Sequence, residues 1–191
     1  MPYKALPKLH AAGLALGLSL AAAIAFGSPA AAVTLGSLAP PNSGGCGNCN
    51  VLQWKSAPGE PSYEVPPGKW TITSWTAQGG GVAAGKARLR VYRPTGTKRQ
   101  LKLVKQSAYG KIPADGHPQF ATSLKVRGGD LIGVYTVDNV PSAYNAAAGK
   151  TVVWAANCDT LIGDLVGRGS GCKPGLLKGY LANIEVTLSK L

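Results

Sequence analysis

From Asn50 to Leu191 no apolar stripe recurs at helical spacing over a stretch of about twelve residues. Short runs of β-branched and aromatic residues instead alternate with punctuation drawn from that stretch's 19 glycines and nine prolines. In a helix interior each glycine costs about 1 kcal/mol and each proline about 3 kcal/mol relative to alanine. Both are at home in the turns that join strands. The expected fold is therefore all-β, with antiparallel strands near 50–55, 61–65, 70–77, 87–93, 99–107, 119–127, 130–137, 151–156 and 180–188. About nine short strands separated by turn signals suit a two-sheet, jelly-roll-like β-sandwich.

Local patterns give that expectation detail. In Ala87–Arg93 the apolar Leu89 and Val91 alternate with Arg88, Arg90 and Tyr92, which predicts one inward face and one face in water. Across the turn Pro94–Thr97, pairing Leu89 with Leu103 and Val91 with Leu101 places Arg90 opposite Lys102. Leu124–Arg127, Gly128-Gly129-Asp130 and Leu131–Tyr135 read as a hairpin whose glycines accept positive φ. Ile184, Val186 and Leu188 alternate with polar residues in a closing strand.

Ahead of this domain, Lys4 and Lys8 precede an apolar run from Leu9 to Phe26, and Ser28-Pro29-Ala30-Ala31-Ala32 supplies the small residues that a signal peptidase reads. Residues 1–32 are expected to be a signal peptide cut between Ala32 and Val33. Residues 33–49 read as a Gly/Pro/Ser-rich leader carrying a CxxC motif, and 50–191 as a single β-sandwich domain. The run is rich in alanine and glycine and weaker than a membrane anchor, so no transmembrane span is expected after cleavage. Cleavage removes two lysines and no acid, so the strongly basic balance, +12 for the whole chain, belongs to the exported part. Outside the cytoplasm that charge points to an anionic cell-envelope polymer or polysaccharide, not to nucleic acid.

An even set of cysteines in an exported chain points to disulfides. Local pairing is favoured, Cys46 with Cys49 and Cys158 with Cys172, because each pair sits in glycine-rich chain that can bend. The second bridge closes a loop of about 15 residues and contributes about 3 kcal/mol in the chain-entropy picture. Cys46-Gly47-Asn48-Cys49 lacks the preceding strand and following helix of a thioredoxin-type redox site, and Cys158 and Cys172 lie too far apart in sequence for a second close zinc-binding pair. No metal and no cofactor is expected.

The order Tyr63–Trp75, then Arg90–Gly96, then Val126–Tyr135 resembles a group of uncharacterised secreted proteins from high-GC soil bacteria. The resemblance implies a small jelly-roll-like β-sandwich. It brings no activity and no site residue, because the shared motifs are turns and core positions.

Catalysis is poorly supplied. His117, the one histidine beyond the expected signal peptide, sits in the turn-like Asp115-Gly116-His117-Pro118, with neither a nucleophile elbow nor a helix to carry one. Glu60, Glu64, Asp115, Asp130, Asp138, Asp159, Asp164 and Glu185 are the acids available to a glycosidase-type pair, and most lie beside Gly or Pro. The glycine-patterned loop Gly163–Gly171 lacks the lysine and helix of a phosphate cradle. A basic ridge is the better candidate site: Arg88, Arg90, Tyr92 and Lys102, with Arg93, Lys98 and Arg99 at its turn, would suit an acidic polymer. Trp54, Trp70, Trp75 and Trp154 offer a sugar-stacking platform if two share an exposed face, although Trp70 and Trp75 have opposite parity. The expected function is a secreted, non-catalytic protein binding anionic or carbohydrate polymers at the envelope. An envelope-acting hydrolase or lyase and a purely structural extracellular protein are the alternatives.

Overall fold

The structure, a computed structural model, describes residues 32–40, 47–79, 84–138, 140, 143–145 and 152–191. The expected signal peptide and Cys46 lie outside the described residues, apart from Ala32.

The described residues form fourteen strands and no helix: β1 Val33–Ser37, β2 Cys49–Lys55, β3 Lys69–Ala77, β4 Gly85–Pro94, β5 Gln100–Gln106, β6 Gly110–Ile112, β7 Gln119–Arg127, β8 Leu131–Val137, β9 Ala143–Asn145, β10 Val152–Ala156, β11 Leu165–Gly167, β12 Gly175–Lys178, β13 Tyr180–Ala182 and β14 Ile184–Lys190. The fold is all-β, and the pairs between these strands are antiparallel. One sheet has the order β1-β14-β3-β7 and another β11-β5-β4-β8-β2-β10-β12, with β6 also on β4; β9 and β13 form a separate pair.

About nine strands were expected, and the count is corrected upward. β1, β6, β9, β11 and β12 are additional, and the predicted 180–188 strand is split into β13 and β14. Segments of three or four residues are too short to show a period. Residues 61–65 make only an isolated bridge, Glu64 to Leu131. The leader reading also fails at its start, because β1 pairs with β14 along Val33–Ser37 and buries Leu35. Gly36, at φ 83°, makes that approach possible: a Cβ there would stand 2.1 Å from the Ile184 carbonyl oxygen.

The main core lies between the two large sheets. Ile72, Trp75, Val126, Ile184, Val186 and Leu188 of the four-stranded sheet share one cluster with Val51, Leu89, Val91, Ile132 and Val134 of the eight-stranded sheet. Both Trp70 and Trp75 belong to it, despite their opposite parity. The register of β3 slips between Ile72 and Ser74 against both neighbours, so Thr73 is a bulged residue that returns the later half of the strand to the same face. An outward tryptophan on this strand is thereby ruled out.

Two pairings are corrected. β7 and β8 do not form a hairpin: β7 pairs with β3 and β8 with β4 and β2, so Gly128-Gly129-Asp130 is a corner between sheets. Segment 63–68 braces it, with Val65 N–H donating to Asp130 O (2.8 Å), Gly129 N–H to Val65 O (3.0 Å) and Ile132 N–H to Tyr63 O (2.9 Å). In the β4–β5 hairpin the register shifts between Val91 and Tyr92, which sets Tyr92 opposite Leu103, Arg93 opposite Lys102 and Arg90 opposite Gln106. Arg90 and Lys102 are therefore not opposed.

Candidate functional site

The face of the eight-stranded sheet turned away from the main core is not in water. Leu52, Tyr92, Leu101, Leu103 and Trp154 form a second apolar cluster with Val166 and Cys172. The cover is the chain from 157 to 174, closed on itself by a disulfide between Cys158 and Cys172 with Cα atoms 5.9 Å apart. This confirms one of the two expected local bridges. Cys49 is buried at the start of β2 and is disulfide-bonded, but the Cys46 end of the other expected bridge lies outside the described residues.

The cover changes the meaning of the predicted basic ridge. Arg90 and Tyr92 are fully buried, and the Arg88 side chain is 11% exposed. Arg90 Nη1 donates to Asn50 Oδ1 and to Thr160 Oγ1 (3.1 Å), while Nη2 donates to Asp159 Oδ1 (2.5 Å) and Thr160 O (3.0 Å). Tyr92 OH donates to the same Asn50 oxygen at 2.8 Å, and Asn50 Nδ2 donates to Cys158 O. Arg88 Nη2 shares the Asp159 oxygen at 2.8 Å. Both guanidiniums lie over Tyr135, at 5.1 Å for Arg88 and 4.2 Å for Arg90, and Arg88 also lies 4.5 Å from the Tyr109 ring centroid. Burial raises the Tyr92 phenol to about 12 and also raises Tyr135. These groups bind the sheet to its cover. Lys102 is exposed on the opposite parity of β5 from Leu101 and Leu103, so the four ridge residues share no open surface. The ridge is corrected: alternation marks a second face, but a loop distant in sequence covers it.

The other sequence candidates are dispersed. His117 and Asp115 are exposed between β6 and β7. Asp130 is buried and accepts from Arg93 Nε (2.7 Å) and Nη2 (2.8 Å), and it also caps its own turn by accepting from Arg127 N–H (3.1 Å). Among the described residues no cluster of three or more His, Cys, Asp or Glu could hold a metal.

An open basic surface appears instead where the cover meets the β4–β5 turn. A groove of about 460 Å³ is lined by Arg99, Trp154, Arg168, Lys173, Pro174 and Leu176, together with Gly167 and Gly169, and no acid contributes to it. All three of its cations are exposed, and among the described residues none is paired with a carboxylate. Its walls are fixed by hydrogen bonds to the backbone. Arg168 N–H donates to Arg99 O (2.9 Å), Gln100 Nε2 to Arg168 O (2.9 Å), and Gly167 N–H to Cys172 O (2.9 Å). Ser170 Oγ lies 2.8 Å from both Gly167 O and Cys172 O. Arg99 is held at φ 58°, a left-handed conformation that costs a side-chain-bearing residue about 1–2 kcal/mol. Gly167, at φ 104°, is needed for the closure, because a Cβ there would meet Arg99 O at 2.2 Å and Trp154 Cζ3 at 3.1 Å.

Trp154 is 2% exposed and its indole N–H finds no acceptor among the described residues. Trp54 stacks on it with centroids 4.3 Å apart and planes 13° from parallel. Sequence reading noted Arg99 and the glycine-patterned loop separately. The local disulfide was the signal that could have joined them, because it folds that loop back onto the sheet.

No protein family, curated protein or solved structure matches this chain.

Proposed function

We propose that the chain is an exported, jelly-roll-like two-sheet β-sandwich that acts without catalysis, binding anionic polymers of the cell envelope in the groove of Arg99, Arg168 and Lys173. The observation that carries this reading is the groove itself: three exposed cations on backbone-fixed walls with no lining acid. Such a surface attracts polyanions and needs little reorganisation to hold them. The signal-like N-terminus and the basic balance of the remaining chain support an extracytoplasmic setting. Among the described residues no helix is long and apolar enough to cross a membrane.

Retention on purified cell wall and on immobilised acidic polysaccharide tests the proposal. The exported protein is expected to bind at low salt and elute as salt rises, and a triple Arg99→Ala, Arg168→Ala, Lys173→Ala variant to flow through. Equal retention of the variant would sink the groove as the site. Intact mass of the exported protein checks the address, with Val33 expected as its first residue.

A further inference from the structure

Three exposed cations alone would hold any polyanion, whatever its backbone. The stacked tryptophans beside them add a ring-recognition element. Trp154 lines the cationic groove, whereas Trp54, half-buried, lines a second recess of about 290 Å³ with Lys55, Ser56, Ser62 and Glu64. Trp154 pairs across the ladder with Leu52, and Trp54, bulged between Gln53 and Lys55, is placed beside it by their stacking. The two recesses therefore meet at the stacked pair.

Their linings differ in charge. The charged side chains of one recess are all cations, while the other mixes Lys55 with the Glu64 carboxylate and serine hydroxyls near the partly exposed indole of Trp54. With Lys55 and Glu64 the second recess carries no net charge, Glu64 accepts hydrogen bonds from hydroxyls, and an indole face packs against the C–H face of a ring. Resting on the binding reading above, we infer that the ligand is an acidic glycan of the uronate type, with one sugar ring against Trp54 and the carboxylate of an adjoining unit among Arg99, Arg168 and Lys173. In a polyphosphate or glycerol-phosphate chain the charge is not attached to a ring that can stack, so those polymers satisfy only half of the surface.

Tryptophan fluorescence and calorimetric titration with three probes separate these possibilities: an oligogalacturonate, the same oligomer with its carboxylates methyl-esterified, and inorganic polyphosphate. The oligogalacturonate is expected to bind with a change in indole emission. Esterification should weaken it at least about tenfold, and Trp54→Ala should weaken it by about tenfold, the loss of one stacking contact. Trp54→Ala is also expected to leave the salt-sensitive binding of polyphosphate unchanged. If oligogalacturonate binds Trp54→Ala as tightly as the parent, or no more tightly than charge-matched polyphosphate, the glycan inference falls while polyanion binding stands. If neither anionic probe binds, both fall.

Discussion

On one face of the eight-stranded sheet Val51, Leu89, Val91, Ile132 and Val134 meet the apolar residues of the four-stranded sheet; on the other, Asn50, Arg88, Arg90 and Tyr92 meet a loop. The first face is closed by shape and apolar area, and its partner is another sheet with its own ladders. The second adds hydrogen bonds, a shared carboxylate and a covalent bridge to an apolar cluster of its own, and its partner has little regular structure. Apolar burial tolerates small changes of outline, whereas a buried guanidinium demands every one of its acceptors. The same strand, β4, presents both kinds of chemistry on alternate residues. At the margin of this second face the cover leaves three exposed cations and, across the stacked tryptophans, a partly exposed indole.

The sharpest way to break this contrast is to change β4 one face at a time. Arg90→Ala is expected to cost about 3–5 kcal/mol in urea unfolding, because Asn50 and Thr160 lose their buried partner and Asp159 its closest cation. Arg90→Met should recover only a minor part, whereas Leu89→Met on the inner face should cost under about 1.5 kcal/mol. Full recovery by methionine would mean that bulk alone holds the outer face. Next in size, Cys158→Ser with Cys172→Ser should cost about 3 kcal/mol. Hydrogen exchange should then quicken across β11 and the cover while β3, β7 and β14 stay protected. A uniform loss of protection would erase the distinction between the two faces.

The smallest effect is expected at alkaline pH. The Tyr92 phenol ionises near 10 when unfolded and about 12 when folded, chiefly through burial, so the native state holds that proton more tightly. Its contribution is complete below about pH 10 and is lost as pH rises through about 12. Burial raises Tyr63 in the inner core as well. The unfolding midpoint should therefore fall with pH above 10, less steeply in Tyr92→Phe. An unchanged slope in that variant would show that Tyr92 is not buried as described.

The all-β class was legible in the sequence because periodicity and turn chemistry are local. β2, β3, β4, β5, β7, β8 and β10 follow their expected ranges closely, and the Cys158–Cys172 pairing was readable from its spacing. Features that depend on one added residue or on distant chain were not legible. The bulge at Thr73 carries Trp70 and Trp75 to one side, and no composition announces it. The burial of Arg90 was hidden for a different reason, since alternation shows that a strand has two faces but not what lies over each. Arg99 and Arg168 are far apart in sequence and meet through a backbone hydrogen bond, an approach that Gly167 permits because a Cβ there would strike the Arg99 carbonyl.

The cover also protects what the sheet alone would leave open. Strands β2, β4, β5, β8 and β10 all precede Cys158 in the chain, and the segment that shields their outer face follows it. Without it Leu52, Tyr92, Leu101 and Leu103 would stand uncovered, with an arginine among them lacking its acceptors on the cover. The thiol pair thus locks down a cover without which the sheet would expose both an apolar cluster and a buried guanidinium.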